Sequence, residues 1–242
     1  MAKALEKRAG DVYLGHRAII LDGSARQVTF SNGTRFRYDL LVNTIPLPEL
    51  VRIAVDAPEE IHDAAALLRA NSIRVMNLGI GRANITDKHW VHFPEKDVSF
   101  FRVSFPSNFS TSMTPAGTSS VSAEVSYTWD SPPDSGELSK RVIEDLVRVG
   151  ILRPDDEILV RHTYDIRYAY CIYDKHRKKA MRTIRNWLNT VNVVTCGRFG
   201  LWTYFWSDEA INNGKTTGEK VLKRMKGASI ARGIRPETGL ED

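Results

Sequence analysis

Residues 196–214, C-G-R-F-G-L-W-T-Y-F-W-S-D-E-A-I-N-N-G, decide how this chain is read. The apolar run just before them, Val191–Thr195, reads as a short buried strand, and Gly197-Arg198-Phe199-Gly200 reads as a glycine-bracketed turn at its end. The aromatics Trp202, Tyr204 and Trp206 follow. Ser207–Lys226 then reads as a helix, with Ser207 or Asp208 placed to cap it. Glycines after a strand let a ligand come close to the backbone. A helix N-terminus offers N–H groups and a positive dipole end, here from Ser207, Asp208, Glu209 and Ala210. Arg198 adds a permanent charge suited to phosphate. Spacing alone leaves two readings open: a cradle for a cofactor or nucleotide, or a strand–turn–helix whose aromatics simply fill a core.

Upstream of this segment, residues 16–31 read as two strands around a turn at Asp22-Gly23. Asn32-Gly33 is a hairpin signal, because both positions tolerate positive φ. The run 40–45 reads as a buried strand ended by Pro46 and Pro48. Residues 57–70 form an expected helix with acidic residues in its first turn, where they complement the dipole. From Ser72 to Thr128 the texture is β-rich, with strands expected over 73–80, 89–93, 98–105 and 119–128. The last of these alternates at Val121, Ala123, Val125 and Tyr127. A helix is expected over Gly136–Val149, a strand over 158–167 and a basic helix over 175–189. In that basic helix Ala180, Met181, Ile184, Trp187 and Leu188 recur at helical spacing, so the positive charge belongs to a solvated face.

Of the 242 residues, 42% are hydrophobic and 26% charged, the balance of a soluble globular protein with a substantial core. No apolar run approaches the roughly 18 residues a membrane span needs. Met1–Gly10 is charged and has no apolar segment of a secretory signal, so the cytoplasm is the expected compartment. Cys171 and Cys196 give neither a disulfide framework nor metal-ligand spacing. The net charge of +5 comes with no nucleic-acid reader motif, so neither a nucleic acid nor a membrane is expected as a partner.

The segment at 197–208 resembles the C-terminal FAD-binding motif of the superfamily that contains flavin amine oxidases, protoporphyrinogen oxidases and UDP-galactopyranose mutases. The mutase form is G-R-[FY]-G-x-W-x-Y followed by Asp or Asn opening a helix. Gly197, Arg198, Phe199, Gly200, Trp202, Tyr204 and Asp208 stand at those positions. Tyr38–Pro46 is similar to the Y-D-x-L-V-x-T-x-P strand late in the family's FAD domain. Phe93-Pro94-Glu95, Phe101-Arg102 and Ser107-Asn108-Phe109-Ser110 resemble the mutases' F-P-E, [FY]-R and S-N-[FY]-S series. Tyr168-Ala169-Tyr170 sits where those proteins have an aromatic-glycine-Tyr step. The likeness spans roughly residues 10–226 and is carried by motifs in a fixed order.

The resemblance implies an α/β (mixed α+β) fold: part of an FAD-binding domain from 1–50 and 191–227, and a substrate domain from 51–190 with an antiparallel sheet flanked by helices. A polar tail over 228–242 completes the expectation. FAD is the implied cofactor, met by Gly197, Arg198, Gly200 and the helix start at Ser207, Asp208, Glu209 and Ala210. A small-molecule substrate, of the nucleotide-sugar kind, is implied to meet Arg102, Tyr170, Tyr204 and His92. No catalytic side chain is assigned.

Some features depart from the pattern. No G-x-G-x-x-G opens a helix after a strand, and Gly79-Ile80-Gly81 lacks the third glycine. A further segment of roughly 150–200 residues is therefore expected upstream. The chain would then be a piece cut at a domain boundary, half of a split enzyme completed by a second chain, or a remnant that has lost catalysis and acts as an interaction module. Tyr170-Cys171-Ile172-Tyr173-Asp174 replaces the mutases' Y-P-x-P-T run, and His92 stands where they carry Tyr. These changes keep an oxidase of the protoporphyrinogen or amine type open as the alternative.

Overall fold

The computed structural model describes residues 2–227 and the backbone of 236–237. The expected tail lies outside the described residues apart from that dipeptide. In chain order the elements are α1 (Ala2–Glu6), β1 (Ala18–Asp22), β2 (Gln27–Phe30), β3 (Arg35–Arg37), β4 (Leu41–Asn43), α2 (Leu47–Arg52) and α3 (Glu59–Ala66). There follow β5 (Ala70–Ile80), β6 (Trp90–His92), β7 (Arg102–Ser104), β8 (Ser119–Tyr127), α4 (Ser135–Arg148) and β9 (Ile158–Cys171). The chain continues through α5 (Arg177–Thr190), β10 (Val193–Thr195), α6 (Gly197–Gly200), α7 (Ser207–Gly227) and β11 (Pro236–Glu237). It divides into two compact units, Met1–Arg69 with Cys171–Asp242, and Ala70–Tyr170.

In the first unit, β1, β2 and β3 form an antiparallel meander. Its second turn is the expected one: Gly33 has φ +85° and Asn32 Oδ1 accepts from Thr34 N–H. The first turn is fixed by carboxylates, because Asp22 accepts from Ser24 Oγ and Ala25 N–H while Asp56 accepts from Gly23 and Ser24 N–H. Residues 41–43 pair in parallel with 193–195. Tyr38 Oη, buried, donates to Val191 O beside that pairing, and burial, then Asp56, pushes the phenol up to about 12.

Pro46 and Pro48 do end the strand, but they also start α2, where Pro48 falls in the first turn and its missing N–H costs nothing. The expected 57–70 helix is shorter, Glu59–Ala66. α5 buries Ala180, Met181, Ile184 and Leu188, and it packs on α3 and β10. Residues 51–69 and 171–190 thus lie in the first compact unit. The chain leaves this unit and re-enters it at neighbouring points, since Ile172 N–H donates to Arg69 O at 2.8 Å.

The second unit is a five-stranded sheet in the order β6-β7-β8-β5-β9. Val121, Ala123 and Val125 alternate as expected and join Met76, Leu78, Ile80 and Val103 on one face. Against that face α4 buries Leu138, Val142 and Leu146, with Asp134 capping it by accepting from Gly136 and Glu137 N–H. β9 runs four residues further than expected and forms one edge. There Leu159, Val160, Tyr164 and Ile166 are exposed.

Two ion pairs tie β9 and the turn before it to the sheet. Buried Arg74 meets Asp165 at 2.9 Å and 3.0 Å, and Arg82 meets Asp156 at 2.6 Å and 2.7 Å. The bonds from Arg82 outweigh the burial and hold Asp156 at about 2. A depressed carboxylate stabilises the fold above its unfolded value near 3.8 and loses that contribution as pH falls through about 2. Urea melts from pH 7 to pH 2 should therefore show Asp156→Asn less stable by up to about 2 kcal/mol at neutral pH. The gap to wild type should close as the solution is acidified below roughly pH 4. A gap independent of pH would refute this assignment.

Candidate functional site

The segment 196–214 is carried by β10 and returns along α7. Gly197–Gly200, expected as a turn, winds into the single helical turn α6. Gly197 takes φ +75°, a backbone state that favours glycine, and the space where a side chain would project is open. Gly200 serves packing: a Cβ there would stand 2.6 Å from Asn43 O at the end of β4. Gly197 N–H points inward and donates to Asn213 Oδ1 at 2.8 Å. Sequence reading passed over Asn213, although Asn212-Asn213 inside a helix was a signal, because Asn is a poor interior helix former.

The loop after α6 divides the aromatic cluster between its two readings. Trp202 is a core residue with no exposed surface, and it holds φ +50°, a genuine outlier for a bulky side chain. Tyr204 and Trp206 are exposed. Arg198 is half-buried. Its guanidinium lies 4.5 Å from the Tyr204 ring centroid, and Nη1 donates to Phe205 O at 3.1 Å. The residue expected to carry charge to a phosphate thus also fastens its own loop.

α7 begins at Ser207, so Ser207 and Asp208 lie inside its first turn and do not precede it, a correction to the expected cap. Glu209 reaches back to accept from Trp206 N–H at 2.7 Å, the side-chain half of a capping box. Ser207, Asp208 and Glu209 are exposed and Ala210 is half-buried. The donor set on this unit fits the anionic and carbonyl groups of FAD. Gly197 leaves an open approach, Arg198 is a cation and the start of a 21-residue helix is exposed, which are the features such a cofactor would need. Burial pushes the Cys171 thiol up to about 11 despite nearby Arg198 and Arg177, so it is not a ready nucleophile.

In the second unit, His92, Arg102 and Glu124 lie in register across β6, β7 and β8. Arg102 makes three bonds to the Glu124 carboxylate at 2.6–2.9 Å, and the Tyr170 side chain acts on the same guanidinium. Burial opposes the charge, but Glu124 and Tyr170 outweigh it and raise the guanidinium above its ordinary value. The structure therefore brings Arg102, His92 and Tyr170 together. It also adds Glu124, which the alternation of β8 had already put on the face opposite Ala123 and Val125. Among the described residues no group of His, Cys, Asp and Glu could hold a metal, and no helix is long and apolar enough to cross a membrane.

This mixed α/β fold with a glycine–arginine turn leading into a long helix is that of an FAD-dependent oxidoreductase. The chain belongs to the flavin containing amine oxidoreductase family, which it matches over residues 1–218. FAD is the cofactor of that class. The fold is similar to that of reduced UDP-galactopyranose mutase, with TM-score 0.84 and 24% identity over 94% of this chain and 52% of that one. It is also similar to a protoporphyrinogen oxidase from Exiguobacterium sp. 255-15, with TM-score 0.63 and 13% identity over 82% and 44%. Putrescine oxidase bound to putrescine gives TM-score 0.65 and 14% identity over 92% and 52%. The chain spans about half the length of these solved relatives or less.

Gly200 is the most sensitive point of the segment. Gly200→Ala would drive a methyl into Asn43 O, and overpacking of this kind costs about 1–3 kcal/mol. Thermal unfolding of Gly200→Ala should fall well below wild type, whereas Gly214→Ala, where no atom lies within 4 Å, should not. Equal midpoints for the two variants would refute the close approach.

Proposed function

We propose that this chain is the substrate-facing part of an FAD-dependent enzyme acting on a nucleotide-sugar or similar anionic substrate, in the manner of a UDP-galactopyranose mutase. The observation that carries the reading is the donor set on one face of the second unit's sheet: Arg102, with His92 beside it in register and Tyr170 on its guanidinium. A planar guanidinium flanked by a phenol and an imidazole suits a diphosphate, because charge-assisted bonds from Arg are roughly twice as strong as neutral ones. The ordered motif likeness to the mutases and the similarity of fold support it.

In this reading the first unit contributes the later part of the FAD-binding fold and the second unit the substrate side. The remainder of both sites would come from the half of the fold that this chain does not span. FAD, when bound, supplies the redox or nucleophilic chemistry. The protein's residues bind, orient and neutralise. On the first unit Arg198, Tyr204 and the start of α7 would serve the cofactor and the anion it meets, and on the second unit Arg102, Tyr170 and His92 would serve the substrate's phosphates.

A specific observation favours a second reading, an oxidase of the protoporphyrinogen or amine type. Arg102 is already neutralised by Glu124, which an enzyme for uncharged or cationic substrates would require. UDP titration separates the two. In the nucleotide-sugar reading, Arg102→Ala weakens UDP binding roughly 10–100-fold, the loss expected for a charged hydrogen bond. UDP binding that is the same in wild type and variant would leave only the oxidase reading.

A further inference from the structure

The loop Leu201–Trp206 carries Tyr204, and Trp202 stands at φ +50° just past the C-cap of α6, with its N–H donating to Phe199 O at 3.2 Å and Thr203 N–H donating to Arg198 O at 2.9 Å. A bulky residue persists in that state only where its surroundings over-determine it. A glycine would be the usual residue at such a cap, and the added restraint on Trp202 comes from the stretch just before and at the start of α5. Arg177 donates from Nε to Trp202 O at 2.9 Å, from Nη2 to the same oxygen, and from Nη2 to Thr203 Oγ1 at 2.8 Å. Its guanidinium lies 4.0 Å from the Tyr173 ring centroid. Tyr173 Oη in turn accepts from Tyr204 N–H at 2.8 Å. Asp174 completes the support by accepting from Arg177 N–H at 3.0 Å. Three consecutive residues of the loop are thus gripped by two stacked side chains, Tyr173 just before α5 and Arg177 at its start. The basic helix is therefore not solvated along its whole charged face: Arg177 is turned into the protein, while Lys178, Lys179 and Arg182 remain exposed.

We infer that Arg177 and Tyr173 are positioning residues that lock the Trp202–Tyr204 turn and so set the stacking of the Tyr204 ring on the Arg198 guanidinium. The inference rests on the reading that Arg198 and Tyr204 meet the flavin and an anionic substrate, and it names what fixes their geometry. Tyr173 falls within the run where the sequence departs from the mutase pattern, so the lock belongs to this chain's own version of the site. Arg suits the task because its planar fork can serve a carbonyl and a hydroxyl while stacking on an aromatic face. A lysine in its place would keep the charge and lose both the fork and the stacking.

The full chain tests this with two conservative variants, Tyr173→Phe and Arg177→Lys. The main readout is the Arg198 Nε–H resonance in a nitrogen–proton spectrum, assigned with Arg198→Lys. Its ring-current shift reports the 4.5 Å stacking on Tyr204, with Tyr204→Leu marking complete loss. Each variant is expected to move the resonance toward the Tyr204→Leu position while its thermal midpoint stays close to wild type. Titration with inorganic pyrophosphate should then show roughly tenfold weaker binding, because small misplacement of a positioned group is costly. An Arg198 resonance unchanged in both variants would overturn the inference, whatever pyrophosphate does. Arg198→Ala is the separate control: pyrophosphate binding unaffected by that substitution would remove Arg198 from anion recognition, while the resonance still decides whether Tyr173 and Arg177 position it.

Discussion

The parallel pairing of residues 193–195 with 41–43 is the contact on which the first unit and its site depend. It joins strands about 150 positions apart in sequence and delivers the chain to Gly197 at the C-terminal end of the pair. α6 then settles so closely on Asn43 that only a residue without Cβ fits at position 200. From that seat Asn213 draws the helix α7 back to Gly197 N–H, and Arg198 reaches Phe205 O. A strand slip of one residue would turn buried Asn43 and Thr195 outward and break all of these contacts at once.

Electrostatics is used differently in the two units. In the second, carboxylates neutralise arginines directly: Asp165 on Arg74, Asp156 on Arg82 and Glu124 on Arg102. Such pairs fix geometry more than they stabilise, because desolvation cancels much of the attraction. Arg102 and Glu124 are the pair of most consequence, since any anion arriving at that guanidinium has to compete with a carboxylate already holding it in a bidentate grip. In the first unit, Arg177 and Arg198 are engaged by backbone carbonyls and aromatic rings.

Local chemistry was the part of the fold that could be read in advance. Asn32-Gly33 makes its turn, the alternation from Val121 to Val125 faces the core, and the periodicity of Ala180, Met181, Ile184 and Leu188 lines a buried helix face. What resisted reading depends on contacts distant in sequence. Neither the inclusion of α3 and α5 in the first unit nor the extension of β9 to Cys171 has a local signature, because each follows from a neighbour that periodicity does not name. The same holds for the site. Gly197, Arg198 and Gly200 stood out as a motif, while Glu124, Asn213 and Arg177 looked like ordinary strand and helix residues until their partners were known.

The second unit is an insertion whose entrance and exit lie side by side, with Ile172 N–H bonded to Arg69 O. A polypeptide that departs from and returns to one spot leaves its host indifferent to the length of the excursion, since closing a larger loop adds only slowly to the entropy lost. The strands and helices of the host can therefore stay in place while the inserted sheet is lengthened, trimmed or re-faced. A single cofactor-binding scaffold of this kind can present many different surfaces to its substrates.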